Sequence, residues 1–120
     1  MPPFRTDIRR GELYWVDWMP ARGSEQAGHR PALVVGADAG NRNERYPLTI
    51  VVAVSTTRRD ILTHVVLEPD VENGLQERSS AKCEQVMTVS KDRLQERIGQ
   101  VNDEDLAKVE AALKRALSLP

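Results

Sequence analysis

Apolar residues in this chain come in short alternating or continuous runs separated by polar turns, until the C-terminal stretch changes to a helical period. After Gly11, the run Glu12-Leu13-Tyr14-Trp15-Val16-Asp17-Trp18 is rich in β-formers. Alternation sets Tyr14, Val16 and Trp18 on one face and Leu13, Trp15 and Asp17 on the other. Pro31 opens a second strand over residues 32–36, because the first strand position is one of the few that tolerates proline. Residues 38–43 read as a turn with room for one helical turn. The near-continuous run Leu48-Thr49-Ile50-Val51-Val52-Ala53-Val54 predicts a strand buried on both faces. Residues 63–67 form another strand, closed by Pro69, and Asn73-Gly74 signals a turn. One or two short strands are expected over 79–89, a capped turn over 90–94 and a last strand over 98–101. Asn102 then suits a helix N-cap, with Asp103, Glu104 and Asp105 in the first turn. Leu106, Val109, Leu113 and Leu117 recur at helical spacing behind it, and Lys114 and Arg115 suit its C-terminal end. The expected class is α+β and mainly β: a small, strongly bent antiparallel sheet or barrel with the terminal helix packed on it.

Composition narrows the setting. A chain of 120 residues is expected to form one domain, 1–120, with residues 1–9 as a loose lead-in whose Arg5 and Arg9, like the neighbouring Arg10, are solvated. Forty per cent apolar and 29% charged residues is ordinary for a soluble globular chain. With a net charge of −1, any nucleic-acid surface must be a local patch rather than a global field. The single cysteine, Cys83, cannot make an intrachain disulfide, and a reducing cytoplasm is the default setting. The N-terminus lacks the apolar core of a signal peptide, and the apolar run at 48–54 is too short to span a bilayer, so no membrane is expected.

Candidate chemistry gathers at three places. Residues 19–30 form a long connection without a period, and Gly23 and Gly28 allow it unusual backbone angles. Pro31 pushes Arg30 towards an extended backbone, so this cation is held where loop becomes strand. At the end of the buried strand, Ser55-Thr56-Thr57-Arg58-Arg59-Asp60 gathers three hydroxyls and two guanidiniums. Lys82 and Glu84 share a strand face, which in its plainest reading is a surface ion pair. A guanidinium grips phosphate oxygens in two-pronged fashion and stays charged near neutrality, and hydroxyls donate to the same oxygens. That set suits a phosphodiester better than a carbonyl or a sugar. Phosphate-binding loops, dinucleotide fingerprints and metal-binding motifs are missing, so neither metal nor cofactor is expected. His29 and His64 are the only histidines, and nothing in the sequence ties them into an acid–base pair. Three of the five aromatics, Tyr14, Trp15 and Trp18, lie together, either as packing or as a base-stacking surface.

The stretch Gly23-Ser24-Glu25-Gln26-Ala27-Gly28-His29-Arg30-Pro31-Ala32 resembles the signature loop of the MazF/PemK/Kid toxin ribonucleases. The resemblance continues in Arg10-Gly11-Glu12-Leu13-Tyr14-Trp15-Val16-Asp17, Val51-Val52-Ala53-Val54-Ser55-Thr56-Thr57, Lys82-Cys83-Glu84-Gln85 and the terminal helix. It spans about residues 9–117. It implies an SH3-like barrel with added helices, assembled as a homodimer. It also implies a sequence-specific, metal-independent endoribonuclease acting on single-stranded RNA, mostly mRNA. Attack of the 2′-hydroxyl on the adjacent phosphate would leave a 2′,3′-cyclic phosphate and a 5′-hydroxyl. A cognate antitoxin would cover the RNA site with an acidic C-terminal segment.

Residue by residue, the family's catalytic arginine falls on Arg30. Its catalytic threonine falls on Ser55, with Thr56 in the next position, and both hydroxyls stand as candidates. Glu25 is either a base on the 2′-hydroxyl or a shaper of the loop. Gln26, His29, Thr57, Arg58, Lys82 and Glu84 are the expected RNA-binding residues. Where some members carry arginine and aspartate, this chain has Lys82 and Glu84, with charge signs kept and geometry altered. The rival is a non-enzymatic toxin barrel that inhibits a protein target such as DNA gyrase, since fold alone does not separate the two.

Overall fold

The structure is a computed structural model, and it describes residues 3–17, 28–57 and 59–120. Six strands form one antiparallel sheet: β1 (Glu12–Asp17), β2 (His29–Val34), β3 (Leu48–Ser55), β4 (His64–Leu67), β5 (Ser79–Ser90) and β6 (Leu94–Gln100). A short helix, α1 (Asp38–Asn41), follows β2, and the long helix α2 (Asp103–Leu117) closes the chain. Strand order across the sheet is β4-β5-β3-β2-β1-β6.

The strands follow the apolar pattern closely. β3, the most continuously apolar run, occupies an interior position and is buried from Val51 to Val54. β2 starts at His29, three residues before the expected 32. It pairs with β1 from His29 onward but with β3 only from Ala32, so Pro31 lies where β2 is still an edge and lacks only a donor that nothing needs. β5 is a single long strand, bent by an irregularity where Val52 pairs with Val86 but Ala53 pairs with Lys82. β6 begins at Leu94, ahead of the expected 98. After the buried Leu94, the exposed polar run Gln95-Glu96-Arg97 carries no alternation, and the pairing of β6 with β1 slips twice.

Alternation sorts the core onto two faces. Leu13, Leu33, Val52, Val54, Val65, Leu67, Ala81 and Cys83 meet Val109 and Ala112 of α2 on one face. Tyr14, Val16, Ala32, Val34, Val51 and Leu94 meet Ile8 on the other. Both edge strands feed the first cluster, β4 through Val65 and β6 through the partly buried Ile98. The sheet therefore curls around that core as a small barrel left open between β4 and β6. The α2 N-cap forms as expected: the Asn102 side chain accepts from the Asp105 backbone N–H at 2.7 Å.

The N-terminal segment is docked, not a solvated lead-in. Ile8 is fully buried in the second cluster, and the Phe4 N–H donates to the Glu44 carbonyl at 2.8 Å. Arg5 donates to the carbonyls of Lys91 and Leu94, and Arg10 pairs with Glu110 of α2 at 2.7 Å. One apolar side chain, Ile8, anchors the segment; Arg9 bonds locally to the Thr6 and Ile8 carbonyls and Arg5 pairs with Asp7, while Arg5 and Arg10 also reach partners far along the chain. No described helix is long and apolar enough to cross a membrane.

Candidate functional site

The sheet register brings the candidate residues to one edge. Ala32 pairs with Ala53, and Ala53 with Lys82, which in turn pairs with His64. Directly paired side chains in an antiparallel sheet share a face. Two residues along, Ser55 pairs with Ser80, and Ser80 with Val66. The β2–β3 pairing ends at Ala32 and Ala53, and alternation along each strand puts Arg30 on the face of Ala32 and Ser55 on the face of Ala53, both beyond that last pair. Arg30, Ser55, Ser80, Lys82 and His64 thus share one face at one end of the sheet, although three long stretches of sequence separate them.

Arg30 is exposed, and its guanidinium makes no hydrogen bond or ion pair among the described residues. Its backbone is fixed by pairing with Val16. Ser55 is half-buried, and its Oγ accepts the Thr57 N–H at 3.0 Å. That turn occupies a lone pair and leaves the Ser55 proton free to be donated outward. Thr56 points elsewhere. It lines a groove of about 350 Å³ with Trp15, Pro31, Leu75, Gln76, Glu77 and Ile98. His29 is exposed, with its ring stacked on Trp15 at 4.7 Å between centroids and 15° between planes. Trp15 is therefore half-buried packing on one side and a groove wall on the other.

The Asn73-Gly74 turn builds the far side of this groove. Asn73 is fully buried, its Oδ1 accepting from the Asp70 and Leu75 backbone N–H groups and its Nδ2 donating to the Glu68 carbonyl. Gly74 has φ +68°, and a Cβ there would run into the Ile98 carbonyl, so only glycine fits.

Lys82 is half-buried opposite Ala53 and does not pair with Glu84. Glu84 instead binds two other side chains. Thr63 Oγ1 donates to Oε1 at 3.0 Å, and His64 Nε2 lies 2.9 Å from Oε2. Burial pulls the Glu84 carboxyl up, but hydrogen bonds from His64, from its own backbone N–H and from Thr63 outweigh it and hold the group below its ordinary value. Nothing in the sequence signalled the partnership of His64 with Glu84, because the strands that carry them become neighbours only in the sheet. Two buried polar atoms near it, His64 Nδ1 and Ser80 Oγ, have no partner. Cys83 points to the opposite face, where burial and the nearby Glu84 push its thiol up to about 11, so it is no nucleophile near neutrality.

Glu25, Gln26 and Arg58 lie outside the described residues. Among the described residues, no three His, Cys, Asp or Glu side chains gather in a way that could hold a metal ion.

An exposed guanidinium without a partner among the described residues and a half-buried hydroxyl thus lie on one face at one end of the sheet, and both are residue types that can bind a phosphate oxygen. The chain belongs to the PemK-like, MazF-like toxins of type II toxin–antitoxin systems, whose family model matches residues 9–117. It is similar to Endoribonuclease EndoA of Bacillus subtilis (strain 168), with 34% identity over 112 residues, covering 93% of this chain and 96% of that protein. Among solved structures it resembles an endoribonuclease from Mycobacterial species, with a TM-score of 0.78 and 27% identity, covering 98% of this chain and 96% of the other. It also resembles an endoribonuclease in complex with its cognate antitoxin from Mycobacterial species, with a TM-score of 0.79 and 29% identity, covering 94% and 97%.

Proposed function

We propose that this endoribonuclease toxin, a single domain, cuts single-stranded RNA, chiefly mRNA, at specific sequences and without a metal ion, by attack of a 2′-hydroxyl on the adjacent phosphate. The observation that supports this reading is that Arg30, exposed and without a partner among the described residues, lies on the same sheet face as Ser55, each beyond the last β2–β3 pair. As the 2′-oxygen bonds to phosphorus, negative charge builds on the non-bridging oxygens. Arg30 meets that charge with a fixed two-pronged cation, and Ser55 adds a donor whose direction its turn has set. The P–O5′ bond breaks, the 5′-oxygen takes up a proton, and a 2′,3′-cyclic phosphate and a 5′-hydroxyl remain. Lys82 adds positive charge along the same face for the RNA backbone. Ser55 is the working hydroxyl and Thr56 a groove residue, because only Ser55 shares the face of Arg30. Glu25 is assigned to the same loop–strand junction as a base or loop shaper, with Gln26 and Arg58 as RNA contacts.

The protein works in the cytoplasm as a homodimer, and an antitoxin silences it with an acidic C-terminal segment laid over this cationic edge. This last reading draws on the mycobacterial relative captured with its cognate antitoxin and on the exposed, unpaired state of Arg30. The test incubates the purified protein, in excess EDTA, with a long single-stranded RNA and a DNA of the same sequence. Cleavage of the RNA alone, at a recurring short sequence with cyclic-phosphate and 5′-hydroxyl ends, is the expected result. Intact RNA on a broad panel, from folded and antitoxin-free protein, would shift the assignment to a toxin acting on a protein target.

A further inference from the structure

One carboxylate on the face of Arg30 and Ser55 is held in a fixed direction and still faces solvent. Glu84 sits in the irregular stretch of β5 between Lys82 and Val86 and is exposed. Thr63, just before β4, and His64, its first residue, hold it: Thr63 at 3.0 Å from Oε1 and His64 at 2.9 Å from Oε2. The His64 side chain is only 3% exposed and its Nδ1 has no partner, so Nε2 is the ring's hydrogen-bonding nitrogen and presents its proton to the carboxylate. Each carboxylate oxygen keeps a further lone pair, and among the described residues no lysine or arginine pairs with Glu84.

We propose that Glu84 is a specificity-determining residue, which accepts a hydrogen bond from the exocyclic amino group of a nucleobase beside the scissile phosphate, and that His64 is the positioning residue that aims it. This inference rests on the ribonuclease reading above. Two features favour a base amino group over the 2′-hydroxyl proton. A carboxyl held below its ordinary value by two side-chain donors is a weak proton acceptor but a strong hydrogen-bond acceptor. In single-stranded RNA the base edges are open to be read, and acidic side chains accept from amino groups such as that of cytosine. Adenine, cytosine and guanine carry such a group and uracil does not. One position flanking the cut is therefore expected to exclude uracil.

The experiment first maps the wild-type cut site, then replaces each flanking base in synthetic RNA by its analogue without the amino group: inosine for guanosine, purine riboside for adenosine, pyrimidin-2-one riboside for cytidine. At one position the loss should lower kcat/KM by roughly 10- to 100-fold in the wild type. In Glu84→Ala the same replacement should change it less than about twofold, since the acceptor is gone. His64→Gln, which keeps an N–H for the carboxylate, should retain most of the discrimination, and His64→Leu should lose it. No position sensitive to the amino group in the wild type overturns the proposal, as does equal sensitivity in wild type and Glu84→Ala. A uniform loss of rate across all substrates in Glu84→Ala, with preferences intact, overturns it in favour of a role in the chemistry. Absence of any RNA cleavage by the wild type would instead remove the ribonuclease reading beneath it. If the Glu84→Ala variant folds poorly, the analogue series on wild-type protein still overturns the proposal where no position responds, and Glu84→Gln, with a weaker neutral acceptor, takes the place of Glu84→Ala in the comparison.

Discussion

At its Leu48 end, β3 is tied into a closed polar knot. Thr49 Oγ1 donates to Asn41 Oδ1 at 2.6 Å, and the Asn41 amide donates to the Gly36 carbonyl and to Asp38. Lys91, fully buried, gives its ammonium to the carbonyls of Gly40 and Asn43 at 2.9 and 3.0 Å. At its Ser55 end the same strand opens onto polar groups of similar kind that are left over: the guanidinium of Arg30, the ammonium of Lys82, and the orphan atoms of His64 and Ser80. Buried polar groups are almost always satisfied, because leaving one unmade costs about 1–3 kcal/mol. The first end follows that rule and holds α1 to the sheet. The second departs from it at two buried atoms, His64 Nδ1 and Ser80 Oγ, while Arg30 beside them on the face is exposed to water.

The sharpest way to break this contrast is to remove the free cation. Arg30→Ala should reduce RNA cleavage by roughly 10²–10³-fold, the scale of losing one donor to a developing oxyanion, with the unfolding midpoint unchanged. Near-wild-type turnover from a folded variant would end the assignment of the Ser55 end as catalytic. Next in size, Ser55→Ala should cost at least about tenfold in kcat, and Thr56→Ala should act mainly on KM or sequence preference. Equal kcat losses in both would mean that the loop rearranges on binding RNA.

At the closed end the signs reverse. Lys91→Met removes two buried charge-assisted hydrogen bonds and leaves the Gly40 and Asn43 carbonyls with only the backbone N–H groups of Asn43 and Tyr46, so urea unfolding should show a loss of about 2 kcal/mol, while the activity per folded molecule stays constant. The smallest effect concerns Asp38. Burial pulls its carboxyl up, but the Arg10 backbone N–H and the Asn41 amide outweigh this and hold it below its ordinary value. A carboxyl depressed in the folded state contributes stability that is complete above its unfolded pKa of about 4 and drains away as pH falls through the folded one. Between about pH 5 and pH 3 the wild type should therefore lose more stability than Asp38→Asn, as read from denaturant midpoints at each pH.

The legible parts of the molecule are those in which neighbours along the chain decide the outcome. The capped α2, the face-to-face alternation of β1 and the buried run of β3 needed only periodicity and end chemistry. Arg30 and Ser55 were legible as candidates because one precedes a strand-opening proline and the other ends an apolar run. Their partnership was not. The expected ion pair of Lys82 with Glu84 did not form, because Thr63 and His64 on the neighbouring strand hold the carboxylate instead. The docking of the N-terminus was equally hidden, since Arg5 reaches the 3₁₀ turn Lys91–Arg93 and the start of β6, and Arg10 reaches α2.

By itself, then, the sequence determined the run of strands, the terminal helix and the residue types that suit a phosphodiester, since short-range spacing and side-chain chemistry are written locally. The tertiary structure decided which polar groups satisfy each other and which stay free. Arg30 in β2 and Lys91 just after β5 are both cations, yet one is exposed and has no partner among the described residues while the other is buried on two carbonyls. That difference depends on sheet register and on strands brought together from distant parts of the chain, so it exists only once the sheet has formed.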